Sequence, residues 1–372
     1  MTTTAIKTNT TSTVPVRQRG LSLVELMIAL AIGAALIGGM IQIFSSNNAA
    51  FRTQQSVSRM QENARFAFHF ISSELRQVGY RGCAGEAPQN QLDLSTGSDE
   101  EFLFDFGRSI HGWAGDNTPT ALDFGGHAPK DSSDVVLIRR AGIEQVETQD
   151  GSPASDVSDI ELTTPHELEG GDILTISDCQ EATTFQVSDA SSGSASLGTS
   201  GSMDPGNTGT GLGHTFGNGS HISRTSVTRF WIADNPDGEP ALYRRVNNDG
   251  AEELVPGIER MVLEYGLDDD KQFDIPSPAP AEPDCELTDE GDGEVDTYEK
   301  VADMERDNCD WQRAVGARVS LLVRSPGDRA MVEGGGGAAQ QTFRFDGATE
   351  TRSDGYLRHV VNTTIAFRNR LP

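Results

Sequence analysis

The chain has 372 residues, with 29 Lys+Arg against 56 Asp+Glu and a formal charge of −27. That length exceeds the usual single domain but still fits one large β-rich unit. Phosphate contacts need Lys/Arg-rich surfaces, so the charge argues against a nucleic-acid binder and does not favour anionic lipid headgroups. The only lysines are Lys7, Lys130, Lys271 and Lys300. An acidic, Lys-poor surface suits a saline habitat, and a genome favouring Arg codons would leave the same bias.

Residues 1–20 are polar, carry Lys7, Arg17 and Arg19, and hold no acid. An apolar run of 24 residues follows, from Leu21 to Phe44. As a helix it would span about 36 Å, enough for a bilayer core of about 30 Å. The preceding positive charges predict a cytoplasmic N-terminus and a translocated remainder. A secretory signal has a shorter apolar region, about 7–15 residues, before its cleavage site. Glu25 interrupts the run. A carboxylate deep in a bilayer costs about 2.5–3.5 kcal/mol on insertion scales. Either it sits near the headgroups or it has a positive partner, such as a free amine created by cleavage before Leu21.

Beyond the run, Val57, Met60, Ala64, Ala67, Ile71, Leu75 and Val78 recur at spacings of three and four, an amphipathic helical stripe. Phe66, Phe68 and Phe70 add bulk around it. No Pro occurs from Leu21 to Val78, and Gly79 is placed to end the helix. Gly33, Gly38 and Gly39 would allow close helix approach or local melting. The pattern fits one continuous stalk, or a signal anchor followed by the core helix of a periplasmic enzyme.

After residue 80 the chain reads as strands and turns. β-like runs occur at 134–139, 172–177, 183–187, 227–233, 241–246, 260–265, 317–323, 341–345 and 360–367. Asn235-Pro236-Asp237-Gly238 predicts a hairpin turn. Residues 188–220 are mostly Ser, Gly, Thr and Asn and read as a surface excursion. Residues 268–310 are acidic and Pro-rich, and the tetraglycine 334–337 reads as a flexible loop. The fold class expected is α+β: a long N-terminal helix, membrane-spanning then amphipathic, packed on an antiparallel β-sheet domain with long loops.

Cys83, Cys179, Cys285 and Cys309 all follow the apolar segment, so on this topology they face an oxidising compartment. Four cysteines permit three pairings. The pairing expected is Cys83–Cys179 with Cys285–Cys309, the second closing a short loop and stabilising by about 2–4 kcal/mol. A zinc site would want C-x2-C spacing, which is absent.

Catalytic patterns are missing. The seven His are scattered without H-E-x-x-H spacing, and no G-x-S-x-G or P-loop occurs. His69 reads as a packing or surface residue of the helix. Asp268-Asp269-Asp270 and 289–296 do not match the D-x-D-x-D-G calcium loop and read as solvated acids. No enzyme, cofactor or metal is expected.

The stretch RQRG-LSLVELMIALAI resembles the type IV prepilin signal: a basic leader, Gly at the cut, an apolar first mature residue and Glu at the fifth. The resemblance implies cleavage between Gly20 and Leu21 by a prepilin peptidase and N-methylation of Leu21. It also implies pairing of Glu25 with the N-terminal amine of a neighbouring subunit during assembly. Removal of the leader would take the charge to −30 (26 Lys+Arg against 56 acids). Major pilins often kink at a Pro about twenty residues into the mature chain; here that position is Gln42.

The segments 62–83, 170–187, 241–246, 253–266, 316–325 and the final IAFRNRLP resemble the PilW family of minor pilins, in family order. The resemblance implies three regions: a leader at 1–20, a transmembrane and stalk helix at 21–79, and a periplasmic β-rich domain at 80–372. It implies a low-abundance inner-membrane subunit that primes pilus assembly and enters the filament near its tip, supporting twitching motility and adhesion. Partners would be the major pilin, other minor pilins, the peptidase, the inner-membrane assembly machinery and a tip adhesin. In related tip complexes the topmost subunit lacks the acidic residue, so a chain keeping Glu25 would not be topmost. A minor pseudopilin of a type II secretion system would share the same processing, with different partners.

Overall fold

The computed structural model describes residues 20–84, 88–94, 101–120, 122–143, 145–149, 159–163, 166–191, 194–197, 205–209, 211–247, 249–274, 285–304, 309–325 and 340–371. The leader residues 1–19 and the tetraglycine lie outside them. The chain divides into two compact units, Met1–Gln54 and Gln55–Pro372, and the division falls inside one helix.

That helix, α1, runs Leu23–Leu75. It is shorter than 21–79 at both ends. Ser22 caps its start: the Val24 N–H donates to Ser22 Oγ at 3.3 Å. At the other end the last turn tightens into three-residue bonds. Gln77 N–H donates to Glu74 O and Val78 N–H to Leu75 O. Gly79, at φ 72°, then reverses the chain.

In the second unit, Met60, Ala64, Ala67, Ile71, Leu75 and Val78 are buried as the stripe predicts, whereas Val57 is 37% exposed. Phe68 and Phe70 pack against the same core, while Phe66 is exposed, with the Arg65 guanidinium over its ring.

Two sheets meet this helical face. The larger includes β1 (Ile110–Ala114), β2 (Asp134–Ala141), β3 (Ile173–Ser177), β4 (Ala182–Ser191), β5 (His221–Asp234), β6 (Pro240–Val246) and β7 (Glu252–Pro256). The long strand β5 organises it, pairing antiparallel with β2, β3 and β6. The β5–β6 hairpin turns at 235–238 as expected, with Asn235 Oδ1 accepting from the Asp237 and Glu239 N–H groups. The second sheet holds β8 (Ile258–Leu267), β9 (Thr297–Lys300), β10 (Ala314–Arg324) and β11 (Arg358–Ala366), in the order β9-β8-β10-β11, all antiparallel.

Packing explains the sequence patterns. In β2, Val136 and Ile138 face the helix core, while Val135 and Leu137 face a second core with Trp113, Trp231 and Tyr243. A strand covered on both faces reads as a continuous apolar run. In β10 the alternate residues Ala317, Val319, Leu321 and Val323 point to the helix. The sheets are stitched where β2 begins. The Met261 N–H donates to Ser133 Oγ at 2.9 Å, and the Leu263 N–H donates to Asp134 Oδ2 at 2.8 Å.

One expectation needs correction. The Ser/Gly-rich stretch 188–220 is not wholly a surface excursion. Ser194–Leu197 forms a strand paired with β4 and with Asp159–Glu161, and Leu212 and Phe216 are buried. Backbone pairing needs no apolar side chain, and two well-placed ones suffice to seal the cluster around Phe185. Within the acidic stretch 268–310, Gln272–Asp274 pairs with Glu286–Asp289, and β9 joins the second sheet.

Of the three pairings open to the cysteines, the structure forms Cys83–Cys179 and Cys285–Cys309. The first ties the chain just beyond α1 to the β3–β4 turn. Gly82, at φ 79°, sits so close to Ser177 that a Cβ there would lie 2.5 Å from its hydroxyl.

Candidate functional site

The N-terminal part of α1, residues 23–44, is predominantly apolar all round and, among the described residues, has no buried residue. Its best 18-residue window has a mean hydropathy of 2.2 and no buried residue. Leu30, Leu36, Ile37, Met40 and Ile43 are all at least 60% exposed. A helix hydrophobic all round needs lipid or other helices around it. The Cβ positions of Gly33, Gly38 and Gly39 meet nothing within 4 Å, so another backbone has room to approach there.

Gly20 and Leu21 are exposed and precede the first helical turn. Glu25 lies in that turn and is the only charged residue between Leu21 and Phe51. Ser22 and Glu25 have the S-x-x-E spacing of a helix-start signal. That signal, legible in the sequence, explains why the helix begins at Leu23, and a carboxylate there also favours the positive end of the helix dipole. The dipole does not remove the cost of a carboxylate on an otherwise apolar surface.

The buried half of the helix carries its charge differently. Glu74 is buried and paired with Arg140 of β2 at 3.0 Å. This ion pair fastens α1 to the larger sheet.

The acids read as solvated are only partly so. Carboxylate oxygens of Asp268, Asp270 and Asp296 lie within 4.8 Å of one another, and Asp268 is fully buried. Backbone N–H groups of Asp270 and Gly293 donate to Asp268. The neighbouring carboxylates Asp296 and Asp292 raise the Asp270 carboxyl above its ordinary range.

The histidines converge on no shared site. His69 is exposed on α1. His111 is buried between Trp113 and Trp311, with ring centroids 4.3 and 4.4 Å away, and burial holds its pKa down at about 3. It is a neutral core residue at physiological pH. His214 pairs with Asp178 at 3.0 Å beside the Cys83–Cys179 disulfide.

A family model described as the prokaryotic N-terminal methylation motif matches residues 16–41, which include Gly20, Leu21 and Glu25. A second, described as type IV pilus-assembly protein W, matches residues 229–369, from the middle of β5 through β11. The resemblances at 62–83 and 170–187 lie outside both matches. No curated protein and no solved structure matches the chain.

Proposed function

The chain is a PilW-like type IV pilin, membrane-anchored through a single apolar N-terminal helix, and from that premise we propose how it acts as a minor pilin. A prepilin peptidase cuts between Gly20 and Leu21 on the cytoplasmic side, and the new Leu21 amine is methylated. The body is translocated to the periplasm, where its two disulfides form. The subunit primes assembly with other minor pilins and enters the filament near the tip, where it supports adhesion and twitching motility. Its role is structural rather than catalytic.

The observation that carries this reading is the coincidence of the motif at 16–41 with a helical stretch, residues 23–44, whose apolar surface is unburied among the described residues and whose one charge is Glu25. A carboxylate in hydrocarbon is tolerated when it faces a partner. The amine freed at Leu21 of a neighbouring subunit is such a partner, and breaking a desolvated pair of this kind costs about 3–5 kcal/mol. The pairing therefore acts as a register mark: subunits that stack correctly neutralise both charges, and those that slip leave both in oil. No observation favours a type II secretion pseudopilin.

Mass spectrometry of the N-terminal peptide of the purified protein tests the reading. The expected result is a chain beginning at an N-methylated Leu21. A mature chain still carrying Met1–Gly20 refutes it.

A further inference from the structure

The second sheet ends in an open edge. Its last strand, β11, pairs with β10 on one side and with no strand among the described residues on the other. The ladder shows which backbone groups are left over. Phe367 N–H donates to Val315 O, and Ser325 N–H donates to Leu357 O. In this register the odd-numbered residues from Leu357 to Phe367 exchange hydrogen bonds with β10. Val360, Asn362, Thr364 and Ala366 therefore turn their N–H and C=O groups outward. Among the described residues, no hydrogen bond reaches those groups. Arg358, the even-numbered residue before them, differs: the Gln341 side-chain amide donates to its C=O and accepts from its N–H. The open stretch from Val360 to Ala366 is about 20 Å long.

Native edges are blunted by lysine, proline, a bulge or a covering segment. β11 contains no Lys or Pro, its register against β10 is unbroken, and Asn362, Thr364 and Ala366 are exposed. Val360, Val361, Thr363, Thr364 and Ile365 are β-branched, the residue types that suit a paired strand. The two faces of the strand differ. Val361 and Ile365 pack in the core under α1, whereas Asn362 and Thr364 lie on the outer face. The helix has an unfinished flank on the same side. Asn63, Phe70 and Glu74 of α1 touch the larger sheet, through Pro256, Arg244 and Arg140. Val57 and Phe68, separated by about three turns, stand on the opposite flank, toward the side of β11. Val57 is 37% exposed and Phe68 is only half-buried.

Charge narrows the choice of partner. No acid occurs from Gly355 to Pro372. Arg358 is neutralised by Glu259 and Asp354, and Arg370 donates to Trp311 O and Gln312 O. Arg368, just past the strand, is exposed and forms no ion pair among the described residues. A second copy of β11 would offer it no acid.

We propose that the open edge of β11 receives an extended segment of a different protein chain, which adds a strand to the second sheet. The incoming segment alternates apolar side chains, placed toward the α1 flank, with polar ones on the outer face. It carries an acid where it passes Arg368. Main-chain hydrogen bonds supply the affinity, and the alternation fixes the register. The inference does not depend on the pilus reading.

Hydrogen-exchange mass spectrometry of the full chain in detergent, with fragmentation that resolves single amides, tests the proposal. The probe is an end-blocked peptide that alternates Thr and Val between terminal Asp residues. Saturating peptide should slow exchange at Val360, Asn362, Thr364 and Ala366 at least about tenfold. Thr364→Pro and Asn362→Lys should each abolish the slowing. Both positions turn their N–H away from β10, so the melting temperature should stay at the wild-type value. The same peptide with Lys in place of Asp should bind at least about twofold more weakly, and equal binding refutes an acidic partner. Unchanged exchange on adding the Asp peptide, or equal slowing in wild type and both variants, overturns the proposal. Slowing that grows with the concentration of the chain alone assigns the edge to a second copy and also overturns it.

Discussion

Residues 23–44 and 55–75 belong to one uninterrupted helix, yet they obey different rules. The first stretch is predominantly apolar all round and has no buried residue among the described residues; the second is one-sided and buries its stripe completely from Met60 onward. Charge follows the same division. Glu74, in the packed stretch, has its partner Arg140 within the chain, whereas Glu25 lies on a surface with no other charge. Within a single secondary structure, composition therefore separates what stabilises the subunit from what is left for other molecules to cover.

That contrast can be attacked first where the packed stretch is fastened. Replacing Cys83 and Cys179 with Ser opens a loop with a sequence separation of 96. Chain entropy alone puts the loss at about 4–5 kcal/mol, against about 3.5 for opening Cys285–Cys309, with its separation of 24. Urea unfolding of the detergent-solubilised chain measures both. Ile71→Ala should come next, at about 2–5 kcal/mol, because the residue is fully buried and leaves a cavity between α1 and the sheets. Ile37→Ala, the matching change in the uncovered stretch, should shift the unfolding of the body by no more than about 0.5 kcal/mol. Equal effects at the two isoleucines would erase the distinction.

A subtler effect concerns Asp134, at the seam of the sheets. Burial pushes its carboxyl up to about 7. Between about pH 4 and 7 the folded chain holds a proton there that the unfolded chain has lost, so stability falls as pH rises through this window and levels off above it. Asp134→Asn keeps an oxygen for the Leu263 N–H and removes the charge. Its melting temperature should vary less with pH across that window than the wild type's, and should match or exceed it at pH 8.

Much of this layout is legible in the residues. Every β-run read from the sequence overlaps a strand, only Asp172 and Phe367 falling just outside, because β-branched and aromatic clusters between turn residues survive packing. The S-x-x-E start at Ser22 and Glu25 is equally legible, although the long apolar run overlies it. What the sequence hid were strands made by backbone pairing alone, such as Ser194–Leu197, and the isolated anchors Leu212 and Phe216 in a Ser/Gly-rich setting. The grouping of cations around the hollow beyond the end of α1 was invisible for another reason. Its charges come from residues 81, 139, 140, 271 and 370, each unremarkable in its local stretch, and only tertiary folding brings them together.

The central claim is that the uncovered stretch of α1 is an assembly surface keyed by Glu25. Expressing Glu25→Ala in a piliated strain and quantifying it in membranes and in sheared filaments tests this most directly. The account predicts normal cleavage and membrane abundance with filament content reduced at least about tenfold, since losing one desolvated ion pair exceeds the 1.4 kcal/mol that a factor of ten requires. Filament content equal to the wild type's would contradict it.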